Sequence, residues 1–192
     1  TDGRFWAIRN RGETTDIVAC DAAGKVRKTI WRGSDSRRAY TTAVNRTGTM
    51  LVFYRWADQH RDIVLLSLRD GARTVITHDR ALDTDPVFSP DGRWIYFASD
   101  RTGVFNIYRY HLKRQSLQQV TNVLTGAFAP SLSADGHLLA YAGYTARGYE
   151  IFLMDLRKAR PLAALPAPPS REPARHHPFP PAILPQRPFQ AW

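Results

Sequence analysis

A single spacing constrains this chain more than any other feature. A turn glycine recurs as Gly3, Gly48, Gly92 and Gly136, at intervals of 45, 44 and 44 residues. An independent anchor, a polar residue followed by isoleucine, recurs as Asp16-Ile17, Asp62-Ile63, Asn106-Ile107 and Glu150-Ile151, at intervals of 46, 44 and 44. A period in the range of roughly 20 to 50 residues means an array of like units, because one such unit cannot bury its own apolar face.

Within a unit the chain reads as strand, turn, strand, turn, strand, turn, strand. In the clearest copy Asp85 to Phe88 is a first strand, Asp91-Gly92 a tight turn and Trp94 to Ala98 a second strand. Ser99-Asp100-Arg101-Thr102-Gly103 turns the chain again, Asn106 to His111 is a third strand and Ser116 to Thr121 a fourth, more polar one. Glycine takes positive φ at such a turn without a Cβ clash, and aspartate caps its own backbone. We therefore assign a structural turn role to Asp91, Gly92, Asp135, Gly136, Gly48 and Gly3.

The second strands are Phe5-Trp6-Ala7-Ile8, Met50-Leu51-Val52-Phe53, Trp94-Ile95-Tyr96-Phe97 and Leu138-Leu139-Ala140-Tyr141. They are apolar on both faces, so both sides of each sheet must be covered. No segment before residue 158 sustains a helical period, which excludes alternating strands and helices. The fold class is all-β: β-propeller blades, each a four-stranded antiparallel sheet of about 44 residues, in an incomplete ring of about 3.5–4 blades. The expected division is a partial blade at 1–33 that lacks its innermost strand, blades at 34–77, 78–121 and 122–157, and a proline-rich basic linker or tail at 158–192.

The net charge of +10 raises nucleic acid as a partner. Of that excess, four charges fall in the tail from Lys158 to Trp192, and elsewhere Arg and Lys are interspersed with Asp and Glu. No specific nucleic-acid partner is expected. Cys20 is the lone cysteine, so no internal disulfide forms. No Gly-x-Ser-x-Gly elbow, Cys-x-x-Cys or His-Glu-x-x-His occurs. His60, His78, His111 and His137 are scattered, and the pair His176-His177 has no further ligands beside it. No cofactor, metal or catalytic residue is expected.

The phrase FSPDGRWIYFASDRTGVFNIYRYHL, residues 88 to 112, resembles the repeat of the TolB-like (WD-repeat-like) propellers. Ser133-Ala134-Asp135-Gly136 and Glu150 to Leu156 keep the pattern in the next unit, whereas Asn45-Arg46-Thr47-Gly48 departs from it. The resemblance covers about residues 1 to 157. It implies a non-enzymatic protein-interaction or scaffold propeller of the bacterial cell envelope, periplasmic or outer-membrane associated, with an envelope protein as partner. Its binding segments would be those leading from one blade's outer strand to the next blade's inner one: Asp35 to Arg38, Asp79 to Asp85 and Asn122 to Thr125. The alternative is the N-terminal gating propeller of a prolyl-oligopeptidase-like serine peptidase whose catalytic domain is absent here.

An open arc of blades leaves two apolar faces bare, so the expectation is a fragment of a larger propeller, with a four-bladed ring closing on itself as the alternative. Ten of the 35 residues from Lys158 are proline, which reads as extended chain outside the sheets. Pro178 to Phe189 resembles the connector that leads into outer-membrane β-barrels of the surface-antigen type, with His177 in place of an aromatic. Membrane association is expected only through such a barrel beyond residue 192.

Overall fold

The structure, a computed structural model, describes residues 5–57 and 60–164. Its strands form four sheets in chain order. Sheet I holds β1 (Phe5–Arg11), β2 (Thr14–Cys20) and β3 (Val26–Arg32). Sheet II holds β4 (Arg37–Val44), β5 (Met50–Ala57), β6 (His60–Ser67) and β7 (Arg73–Val75). Sheet III holds β8 (Asp83–Phe88), β9 (Trp94–Ser99), β10 (Asn106–His111) and β11 (Ser116–Gln119). Sheet IV holds β12 (Ala127–Leu132), β13 (Leu138–Thr145) and β14 (Gly148–Asp155). All pairings between these strands are antiparallel, as expected for propeller blades.

The two-sided apolar strands are used as their pattern demands. Leu51 and Phe53 pack towards sheet I with Ile17 and Trp31, while Val52 packs towards sheet III with Ile95, Phe97 and Tyr108. Tyr96 and Ala98, on the other side of β9, meet Leu139 and Tyr141 of sheet IV. Each central blade is thus the shared wall of two cores.

The polar-isoleucine anchor also finds its reason. The isoleucines Ile17, Ile63 and Ile107 are fully buried. The polar residue before each one fastens a neighbouring strand or link. Arg9 donates to Asp16 at 2.8 Å and Arg55 to Asp62 at 2.7 Å. Asn106 accepts from Thr121 Oγ1 and from Val123 N, both at 2.9 Å.

In blade III the first strand begins at Asp83 and not Asp85 and the second ends at Ser99 and not Ala98, and two further boundaries shift for reasons of hydrogen bonding. The fourth strand of blade III ends at Gln119 and not Thr121, because Thr121 Oγ1 takes the Ile107 N–H at 2.8 Å in place of the ladder. Further on, Leu162–Ala163 forms a short β15 on the outer edge of sheet III, with Leu162 opposite Gln119 and Ala163 opposite Gln118. The segment from Lys158 therefore begins by joining a blade. Residues 162 to 164 follow Pro161 and contain no proline, so their N–H groups can pair. The proline tract beyond Ala164, with its connector-like phrase and His176-His177, lies outside the described residues.

Candidate binding rim

Two ends of the blades differ in character. One end carries the repeated hairpin turns. Gly48, Gly92 and Gly136 have φ of 68°, 69° and 73°, and each donates its N–H to the carbonyl three residues earlier. Asp91 Oδ1 accepts from Arg93 N at 3.0 Å, and Asp135 Oδ1 from His137 N at 3.0 Å. Ser133 donates its hydroxyl to Asp135, and this hydrogen bond, with the His137 N–H, holds the carboxyl below its ordinary range. In blade II Asn45 does this work, with Oδ1 accepting from Thr49 N and Met50 N at 2.9 and 3.0 Å. Gly3 lies outside the described residues.

The opposite end carries the links from outer to inner strands. The expected segment Asp35 to Arg38 is a tight reversal, with Ser34 and Arg37 exchanging backbone hydrogen bonds at 2.9 Å. Gly33 precedes it because a Cβ there would meet Thr15 O at 2.3 Å. The segment Asp79 to Asp85 is clamped by Arg101, which is 4% exposed. Arg101 donates to Asp79 at 3.0 Å, to both oxygens of Asp83 at 3.2 and 3.3 Å, and to Ser99 Oγ at 3.1 Å. Burial pushes the Asp83 carboxyl up to about 6, against the pull of the Arg101 charge. In Asn122 to Thr125, Leu124 projects into solvent, 92% exposed.

Between the two ends run the inner strands β4, β8 and β12. Each carries one bulged residue in the left-handed region: Thr41 at φ 40°, Asp85 at 53° and Ala129 at 48°. The pairing register breaks there in all three blades, between Tyr40 and Thr42, Thr84 and Val87, and Phe128 and Ser131. Thr41 Oγ1 donates to Asp85 Oδ1 at 3.4 Å, so the bulges of adjacent blades meet along one rim. Behind it Tyr40 and Tyr54 stack at 5.2 Å and Arg61 lies 6.0 Å above the Tyr54 ring. Burial raises the Tyr54 hydroxyl above its usual value, the Asp85 charge adding to it and the Arg61 charge opposing it.

The expected binding segments thus flank the rim, but the bulges themselves escape sequence reasoning, which takes Asp85 as a plain strand residue. The available signal was positional. Thr41, Asp85 and Ala129 stand 44 residues apart while sharing no residue type. Among the described residues no group of three or more His, Cys, Asp or Glu could hold a metal ion. His111 packs edge-on against Trp94, and His137 contacts Asp135. No helix among the described residues is long and apolar enough to cross a membrane, which says nothing of a β-barrel.

Comparison with known families places this architecture. The model of the TolB beta propeller domain matches residues 10–165. The chain belongs to that family. An uncharacterized protein of Agrobacterium fabrum is 36% identical to this TolB-family chain over 147 residues, 76% of the chain and 49% of that protein. The Tol-Pal system protein TolB of Francisella tularensis is 27% identical over 115 residues, 57% of the chain and about a quarter of its own length. The chain therefore spans half or less of the curated relatives it matches. Among solved structures, TolB from Acinetobacter baumannii superposes with a TM-score of 0.73 at 21% identity, covering 85% of this chain and 41% of that one. A puromycin-hydrolyzing peptidase of Mycobacterium tuberculosis shares the fold at a TM-score of 0.64 and 18% identity, over 84% of this chain and 29% of its own.

Proposed function

We propose that this TolB-family propeller segment is a non-enzymatic protein-binding module, and that its partner sits on the rim formed by Thr41, Asp85 and Ala129 and the links flanking it. One observation carries the reading. The hairpin turns of this chain put glycine where φ is positive, as at 48, 92 and 136, with Gln115 between β10 and β11 as an exception, but none of the three inner-strand bulges does. A left-handed L-residue costs on the order of 1–2 kcal/mol, which glycine would remove. Backbone strain held at one register, beneath three different side chains, supports a display position: the bulge aims the side chain and the sequence varies what is shown. The links beside it are loops on a rigid scaffold, where recognition residues concentrate.

The setting we propose is the bacterial cell envelope, most directly the periplasm, with an envelope protein as the partner. Its support is the likeness to proteins named for the Tol-Pal system. Any outer-membrane association would come through a barrel beyond the described residues. The test is photo-crosslinking in the native bacterium, with a reactive residue placed in turn at 41, 85 and 129 and, as a control, at Arg73 on the outer strand β7. The rim positions should give a common protein adduct that position 73 does not. Adducts of equal yield from position 73, or none from the rim, would overturn the reading.

The second reading is a propeller that gates a serine peptidase domain carried elsewhere, favoured by the shared fold of the M. tuberculosis peptidase. Serine-reagent-sensitive hydrolysis by the native gene product would establish it at the expense of the first.

A further inference from the structure

The interface between blades III and IV breaks the rule the repeat keeps elsewhere. Blade II presents Met50, Val52 and Leu65 at one register, and blade IV presents Leu138, Ala140 and Leu153. At that register, 44 residues from each, blade III carries Trp94, Tyr96 and Arg109. In blade II this face is packed core, with Val52 at 0% exposure. The facing wall is thinner as well. Where blade III offers Phe88 and Tyr110 to blade II, the counterparts that blade IV offers to blade III are the smaller Leu132 and Met154. A cleft of about 340 Å3 results, walled by Trp94, Tyr96, Arg109, Leu132, His137 and Leu156. It opens at the hairpin-turn end of the blades, away from the links that flank the inner rim.

Arg109 is fixed within it. Its guanidinium carbon lies 4.2 Å from the centroid of the Trp94 ring, Nε donates to Gln118 Oε1 at 2.9 Å and Nη1 to Tyr96 OH at 3.4 Å. Among the described residues no carboxylate pairs with it, and Nη2 has no hydrogen-bond acceptor. A charge set into a face that packing makes apolar is costly unless something compensates it. The nearby acids are committed elsewhere. Asp91 accepts from Ser89 and Arg93, and Asp135 from Ser133 and His137.

We infer that this cleft is a carboxylate-binding site, with Arg109, held over the Trp94 ring, as the group that recognises the anion. A guanidinium with its Nη2 donors unused suits a carboxylate, and the aromatic and leucine walls suit the short apolar stem that bears it. Singly charged carboxylate fits better than phosphate, whose second charge would face Asp91 and Asp135. The carboxylate comes from an acidic side chain of a bound peptide or from a small organic acid.

The test uses the full chain and follows the Arg109 Nε–H and Trp94 indole N–H signals by NMR. Acetylglutamate methylamide should shift both signals saturably, and its glutamine analogue should bind at least tenfold more weakly. A capped Ala-Ala-Glu-Ala-Ala peptide binding more tightly than the single residue assigns the source to a peptide, and equal binding assigns it to a small acid. Arg109→Leu installs the blade II residue at this register, so it should fold with an unchanged or higher thermal midpoint and lose the Trp94 shift. No saturable shift, equal binding of the glutamine analogue, or a Trp94 shift that survives Arg109→Leu would each overturn the assignment.

Discussion

Blade III and blade IV are built from nearly the same phrase, yet among the described residues one is covered on both faces and the other on one. Ile95 and Phe97 of β9 are sealed against blade II, and Tyr96 and Ala98 against blade IV. In blade IV, Leu139 and Tyr141 face blade III and are buried, while Ile151 and Leu153 on the opposite face are 74% and 72% exposed. The two strands have equally apolar sequences. A repeat thus specifies its half of an interface, and the neighbour decides whether that half is buried.

The same contrast holds at the link end. Asp83 and Arg101 of blade III have Ala127 and Thr145 as their counterparts 44 residues on. Blade III is therefore locked by ions to the segment that enters it, and blade IV is not.

The sharpest way to break this comparison is a matched pair of truncations. Phe97→Ala should cost about 3–5 kcal/mol, since the ring is fully buried and would leave a cavity. Leu153→Ala should cost well under about 1 kcal/mol. Denaturant unfolding of the two variants checks this, and equal losses would show that blade IV's bare face is covered in solution. Next in size is Arg101→Leu, which leaves Asp83 buried without its cation and should cost about 3 kcal/mol. Thr145→Leu in blade IV removes only the hydroxyl's turn hydrogen bonds, to Gly148 O and from Arg147 N, and should cost about 1 kcal/mol.

A further expectation is a pH dependence of opposite sign to the usual one. Burial raises Asp83 to about 6 in the folded chain, against 3.8 as the ordinary value. Between those values the folded state binds the extra proton, so stability rises as pH falls from about 6 towards 4. Asp155, held near 2 by the Arg157 guanidinium, works the other way, but its contribution is lost only as pH falls below about 4. Thermal midpoints between pH 4 and 7 should therefore climb with acid in the native chain, and Asp83→Asn should flatten that climb.

Much of this was legible in the sequence because the residues concerned answer local demands. Gly92 and Gly136 show their positive φ through residue type, and the strands show their two-sided burial through unbroken apolar runs. The bulges at Thr41, Asp85 and Ala129 were not legible, because a left-handed residue that is not glycine leaves no mark in composition. Gly33 was missed because the close approach of Thr15 is a tertiary fact. Arg109 could have been found: aligned on the 44-residue period, it is the charge that stands between two leucines, Leu65 and Leu153.

The most direct test of the account separates the bulge backbone from what it displays. Thr41→Lys, Asp85→Lys and Ala129→Lys are combined in one chain, and a photoreactive residue at Ser131, on β12 beside the bulge, reports the partner in the native bacterium. The account predicts a thermal midpoint within about 3 °C of the native chain, since one L-residue replaces another at each left-handed position, together with loss of the crosslinked partner. An undiminished adduct, with the chain folded, would show that the inner rim is architecture alone and contradict the proposed function.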